Sequence, residues 1–264
     1  MTVDSSFSYM IDSHCHLDRY SCAKEVIQRA QEAGVSRLLS ISVHRENARC
    51  VMEIANAFSC VYASVGVHPC DINQDPLSDL ESWLVENSAH PKILGLGETG
   101  IDIQSESPKI DLQLQGFEAH VNAALRTSLP LIVHVRNGFD VFFDFWKHWN
   151  KEVPKGVLHC FTGTWDQART ALDMGWYISF SGIITFKNNG ELEKIVKSIP
   201  FNQFLVETDA PWLTPEPYRG RRNEPAYLTH TVKKISELRQ CTKSQICQWS
   251  TKNFYELFRK IKNF

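Results

Sequence analysis

Residues 92–135, KILGLGETGIDIQSESPKIDLQLQGFEAHVNAALRTSLPLIVHV, hold one complete strand–helix–strand unit. The runs KILGLG (92–97) and PLIVHV (130–135) are apolar and of strand length, whereas LQLQGFEAHVNAALRTS (112–128) repeats its apolar residues at helical period. Pro130 marks the break after that helix. Working outward, the same alternation recurs. Strands are expected at about 8–13, 35–42 and 60–67 upstream, and at about 155–159, 176–181 and 203–207 downstream. AKEVIQRAQEAG (23–34) reads as a helix closed by Gly34, and Gly175 closes another. The eighth strand leads into a Pro/Arg-rich loop and two helices at about 224–239 and 243–259. Eight such units in about 250 residues predict a single (β/α)8 TIM barrel spanning 1–264. Alternation by itself leaves an open doubly wound sheet as the rival. The long loops expected to carry function are Pro69–Pro76, Ile101–Pro108 and Ala210–Pro225.

Composition narrows the class. The chain has 264 residues, 43% hydrophobic and 22% charged, enough apolar material for a sizeable core. Lys+Arg 28 against Asp+Glu 30 gives a net charge of −2, which excludes a wholly basic nucleic-acid coat but allows a local basic patch. The longest apolar run, Leu129–Val133, is far short of the roughly 20 residues of a spanning helix. MTVDSSFSYM lacks the pattern of a secretory signal. None of the eight cysteines is paired at the two-residue spacing of a zinc ribbon or redox motif. A reduced, cytoplasmic monomer is the expectation, with no membrane association and no obligate protein partner.

In IDSHCHLD, an extended backbone turns His14 and His16 to one side and Cys15 to the other, an arrangement suited to two ligands of one metal. A surface or core pair of histidines would look the same. Further donors stand where apolar runs end: Glu98 after LGLG, His134 in LPLIVH, His159 in GVLH and Asp209 after FLVET. In a barrel all these ends open on one face, the face that hosts active sites. Four imidazoles and two carboxylates exceed what one ion requires, which favours two ions and a shared carboxylate. Glu207, two residues before Asp209, is expected on the same strand face. It would orient ligands or sit hydrogen-bonded in the barrel wall.

The segments IDSHCHLD, GVHP, LGLGETGID, LPLIVHVR, LHCFTG, ISFSGIITFK, VETDAPWLTP and YRGRRNEP resemble, in order, the motifs of TatD-type metal-dependent deoxyribonucleases. The resemblance runs from about residue 10 to 258. It implies a metal-dependent hydrolase of the amidohydrolase superfamily. By resemblance, His14, His16 and Asp209 hold a first divalent ion, His134 and His159 a second, and Glu98 bridges them. Mg or Mn would serve turnover, and Zn suits the imidazoles. Asp209 and Glu98 are the expected catalytic pair, Asp209 orienting the attacking water. Arg136, Arg219, Arg221, Arg222 and His68 are the expected substrate contacts, with Phe161, Trp212 and Tyr218 as candidates to stack on a base. The chain departs from the family pattern at Asn137, usually aspartate, at His120, often glutamine, and in IDIQSESP, which lacks the usual tyrosines.

The expected substrate is DNA at single-stranded or frayed strand ends. Two rivals remain: an ester or amide hydrolase of the same superfamily, for instance on aminoacyl-nucleotides, and a non-catalytic nucleic-acid-binding barrel.

Overall fold

A computed structural model describes residues 9–74 and 76–261. Eight parallel strands follow in sequence order: β1 (Met10–Cys15), β2 (Val35–Ser40), β3 (Val61–Val65), β4 (Ile93–Asp102), β5 (Leu131–Arg136), β6 (Gly156–Leu158), β7 (Tyr177–Phe180) and β8 (Phe204–Val206). The ring closes between its ends, where Cys15 bridges Ala210 in parallel, the His16 amide donates to the Ala210 carbonyl (2.8 Å) and the Asp209 amide donates to the His14 carbonyl (2.9 Å). This is the (β/α)8 barrel, and the open sheet is excluded. The outer layer comprises α1 (Ala23–Glu32), α2 (Arg45–Ala57), α3 (Leu80–Ser88), α4 (Ile110–Thr127), α5 (Phe139–His148), α6 (Trp165–Asp173), α7 (Gly190–Ser198), α8 (Leu228–Arg239) and α9 (Lys243–Leu257). Among the described residues no helix is long and apolar enough to cross a membrane.

Two apolar clusters hold the layers. The larger fills the space between strands and helices and includes Phe117, Phe142 and Trp176. The smaller plugs the barrel's lower interior. Ile11, Leu39, Leu94, Ile132, Val157, Tyr177 and Leu205 each come from a different strand, Tyr62 of β3 packs against them, and Phe254, Leu257 and Phe258 close the base. Alternation of side chains then decides what stands above the plug. Two residues on from Ile132 is His134, from Val157 is His159, and from Leu205 is Glu207. On β1, β3 and β7 the same step brings in Ser13, Ser64 and Ser179, all buried, with the Ser13 and Ser179 hydroxyls 3.3 Å apart.

Two strands break the alternation. The β1–β2 register passes from Asp12↔Leu38 to Cys15↔Ser40, three residues against two. A bulge of this kind re-aims the side chains beyond it, and past Ser13 it turns His14 and His16 inward where strict alternation from Ile11 would present Cys15. Strand β4 shifts register in the same way between Leu96 and Thr99. There Gly97 has a φ of +144°, and a Cβ on Gly66 would lie 2.4 Å from the Gly97 Cα, so the backbone just after β3 meets β4 in a contact that admits only glycine.

Several element limits differ from expectation. β1 runs from Met10 to Cys15 rather than 8–13, and Ser8 lies outside the described residues, as does Asp75 in the Pro69–Pro76 loop. β4 continues to Asp102 instead of stopping at 97, because Gly100, Ile101 and Asp102 pair with His134, Val135 and Arg136. β8 ends at Val206, so Glu207 and Asp209 follow the strand rather than share one of its faces, and Asp209 has a φ of +54°. The helix expected from 224 begins at Leu228, after a 3-10 turn at Pro225–Tyr227.

Candidate metal centre

The six donors expected from the strand ends converge at the barrel mouth, five of them lining a cavity of about 630 Å³ and His14 buried behind them. Glu98 is their centre, 4% exposed, with its amide fixed by donation to the Ser42 carbonyl (3.0 Å). Its two oxygens face different partners. Oε2 lies 3.4 Å from His14 Nε2 and 3.8 Å from His16 Nε2. Oε1 lies 2.8 Å from His159 Nε2, 3.2 Å from His134 Nδ1 and 3.5 Å from His68 Nε2. Asp209 Oδ1 stands 3.5 Å from Nε2 of both His14 and His16. His68, expected to touch substrate, thus lies inside the cluster, edge-on to His134 with ring centres 4.6 Å apart.

Charge at the site follows from these contacts. Burial opposes ionisation of Glu98, but the imidazoles of His159, His14 and His68 and the bond from His134 hold it well below the usual carboxylate range. Asp209 is likewise lowered against burial, by the hydrogen bond and charge of His16 and by His14 and His159. Burial pulls His14 down, with His159 adding to it. Burial and the two imidazoles nearby also depress His68, to about 3. His159 rises against burial because Glu98 and Glu207 favour its charge. The His14 and His159 rings stack at 3.9 Å, 11° from parallel, so two positive charges there would repel strongly.

The donor set fits divalent cations. Two carboxylates held ionised, Glu98 buried and Asp209 partly so, face imidazole nitrogens on both sides. The His14 and His16 Nε2 atoms lie 3.2 Å apart, although two neutral imidazoles gain nothing from such proximity unless a proton or a cation sits between them. Groups drawn from His14, His16 and Glu98, from His14, His159 and Asp209, and from His68, Glu98 and His134 each bring ligand atoms within 4.8 Å of one another. A cation takes over the positive charge and leaves the imidazoles neutral, as ligation requires.

Behind the donors stand carboxylates that orient them. Asp102 Oδ2 meets His134 Nε2 at 2.8 Å, and its other oxygen accepts from Gln104 Nε2 (2.8 Å) and the Ser107 hydroxyl (3.2 Å). These bonds outweigh burial and hold the Asp102 carboxyl near 2. Glu207 Oε1 accepts from the Cys160 amide (2.6 Å) and lies 3.4 Å from His159 Nδ1. Asp12 accepts from the Thr208 amide (2.9 Å) and hydroxyl (2.5 Å), tying β1 to the segment that carries Asp209; burial pushes its carboxyl up to about 8. Sequence reasoning missed Asp102 and Asp12. The signal for Asp102 was present: continued alternation past Glu98 through Gly100 places it on the same face.

The expected substrate contacts separate. Arg136 is exposed and lines the cavity, as does Arg19, which sequence reasoning did not single out. Arg219, Arg221 and Arg222 are not part of the cavity lining. The Arg219 guanidinium lies 3.8 Å from the centre of the Phe186 ring and donates to the Thr214 carbonyl. Arg221 lies over Tyr218, and Arg222 lies over Tyr20 and donates to the Arg19 carbonyl. Of the three aromatic candidates, Phe161 is buried and Tyr218 stacks on Tyr227, whereas Trp212 is 47% exposed at the cavity wall.

A buried His/carboxylate cluster at the C-terminal mouth of a (β/α)8 barrel defines a barrel hydrolase of the metal-dependent kind. The chain belongs to the TatD-related DNase family, whose model matches residues 11–259. It is 36% identical over 253 residues to the uncharacterized metal-dependent hydrolase YabD of Bacillus subtilis, covering 95% of this chain and 99% of that one. It is 32% identical over 221 residues to the 3′-5′ ssDNA/RNA exonuclease TatD of Citrobacter koseri, covering 81% and 84%. The crystal structure of YjjV, a TatD homologue from Escherichia coli, superposes with a TM-score of 0.87 at 27% identity, covering 95% and 98%.

Proposed function

We propose that this enzyme hydrolyses phosphodiester bonds in DNA, acting at single-stranded or frayed strand ends with two divalent cations. The observation that carries the reading is the division of Glu98, Oε2 toward His14 and His16 and Oε1 toward His134 and His159. His14, His16 and Asp209 would hold one cation and His134 and His159 the other, with Glu98 shared and His68 beside the second. When bound, Mg or Mn, with Zn as an alternative occupant, supplies a water of lowered pKa and neutralises charge developing on the phosphoryl oxygens.

The chain's own groups do the rest. Asp209 presents one oxygen to His14 and His16 and keeps the other to orient the attacking water and take its proton. Asp102 and Glu207 fix the His134 and His159 rings from behind. Arg136 at the cavity wall pairs with a phosphate of the strand. Arg219, Arg221 and Arg222 act through the loop that frames the mouth, since their guanidinium groups already lie on aromatic rings. Water attack at phosphorus breaks one P–O bond, leaving an alcohol on one fragment and a phosphate on the other. The exonuclease name of the Citrobacter relative supports strand-end action and makes RNA the second substrate to try.

The test is end-labelled single-stranded DNA incubated with the protein and Mg or Mn, beside chelated protein and Asp209→Ala. Stepwise shortening lost in both controls is expected. No cleavage with any metal, from protein that still binds two ions, transfers the assignment to an ester or amide substrate. A circular strand cut as fast as a linear one overturns strand-end action.

A further inference from the structure

Among the described residues, five large apolar side chains are markedly exposed: Tyr9, Ile110, Val153, Phe201 and Trp212. Trp212 alone of these lines the cavity of the metal cluster. Its ring makes a T-shaped contact with His16, centres 4.9 Å apart and planes at 73°, and about half of the residue stays open to solvent. The backbone holding it is fixed at both ends of the residue: its amide donates to the Asp209 carbonyl (3.0 Å), and Asn223 Nδ2 donates to its own carbonyl (2.6 Å). A half-exposed indole on a fixed stem at an active-site wall leaves apolar surface in water at the place where ligand arrives. Arg19 lines the same cavity, its amide donating to the His16 carbonyl (3.2 Å) and its side chain, 41% exposed, approaching Asp18 through Nε at 3.5 Å.

An aromatic face and a guanidinium lining one cavity match a planar heterocycle that carries a phosphate. Every nucleobase offers a π-face for stacking, and arginine pairs with phosphate through a planar fork. We propose that Trp212 and Arg19 form a nucleotide subsite at the His16 end of the cluster, the indole stacking on the base and the guanidinium pairing with the phosphate. The inference rests on the nucleic-acid reading above and adds to it where a base sits. Stacking of this kind tolerates any base, so the subsite grips nucleotides without selecting sequence.

The test uses a ligand the enzyme cannot cut as a diester. Affinities of the metal-loaded protein for deoxyadenosine 5′-monophosphate and for deoxyribose 5-phosphate are measured by calorimetry. They are compared for wild type, Trp212→Ala, Trp212→Phe and Arg19→Ala, with thermal unfolding to confirm each fold. The nucleotide is expected to bind wild type roughly 10- to 100-fold more tightly than the sugar phosphate. Trp212→Ala should erase that ratio, Trp212→Phe should keep most of it, and Arg19→Ala should weaken both ligands while leaving the ratio intact. Equal affinities in wild type, or an unchanged ratio in Trp212→Ala, overturn the subsite. A preserved ratio in a protein that cuts no DNA or RNA strand sinks the nuclease reading and leaves the subsite standing. Strand cleavage with a ratio of one does the reverse.

Discussion

The Asp102 carboxylate meets His134 Nε2 at 2.8 Å, while the other ring nitrogen of His134 faces Glu98 at 3.2 Å. Asp102 therefore fixes the ring's tautomer, with the proton on Nε2 and the lone pair of Nδ1 turned to the cluster. Asp102→Ala is expected to weaken metal binding or activity about 10- to 100-fold. Asp102→Asn, which still offers an acceptor oxygen, should do less harm. Metal titration of the two variants decides the matter, and wild-type affinity in Asp102→Ala would refute the role.

His120 makes an acid-sensitive joint. Its Nε2 accepts from the Val67 amide (3.1 Å) and its Nδ1–H donates to the Gly116 carbonyl (2.7 Å), bolting α4 to the segment before His68. Burial lowers its pKa from 6.5 to about 4, against a small opposing effect of the Gly116 carbonyl. The unfolded chain takes up a proton near 6.5 and the folded one only near 4. The stability this ring contributes is therefore full above pH 6.5 and declines as pH falls toward 4, by about 3 kcal/mol in all. His120→Gln keeps an acceptor and a donor but does not titrate, so the wild-type-minus-variant difference in stability should shrink as pH falls across that window. Denaturant unfolding at pH 7 and pH 4.5 measures it.

Gly66→Ala should damage both stability and metal content. Its Cβ would lie 2.4 Å from the Gly97 backbone, which cannot retreat as a side chain can. A cost of roughly 1–3 kcal/mol or more is expected. Because Gly97 precedes Glu98, metal stoichiometry should fall as well. An unchanged melting temperature with full metal content would contradict the contact.

Arg136 and Arg219 should respond differently to removal. Arg136→Ala is expected to weaken single-strand binding and lower the salt dependence by about one charge. Arg219→Ala removes a guanidinium stacked on Phe186 and should lower thermal stability with little change in the salt slope. Binding titrations from low to moderate salt separate the two.

Much of the barrel was legible because its strands announce themselves by length and its interior by alternation. From Ile132 and Val157 a two-residue step finds His134 and His159 directly. The reading that paired His14 with His16 reached the right neighbours, but the bulge between Asp12 and Cys15 is what turns them inward, and a bulge leaves no plain mark in IDSHCHLD. Strand β4 looked finished at Gly97 because the apolar run KILGLG ends there. Its pairing with β5 carries it to Asp102, which is why the partner of His134 went unseen. The surroundings of the arginines of YRGRRN were not legible for another reason: composition reveals charge, whereas only packing reveals that they lie on Phe186, Tyr218 and Tyr20.

The plug at the barrel's base has a consequence in time. Ile11 near one end of the chain is sealed by Phe254, Leu257 and Phe258 near the other, and His14 meets Asp209 only where the first strand joins the last. A ribosome delivers these partners at opposite moments. The nascent polypeptide holds its first two imidazoles long before it owns the carboxylate that completes them, so the hydrolytic centre arises only once the eighth strand and the segment after it have been made.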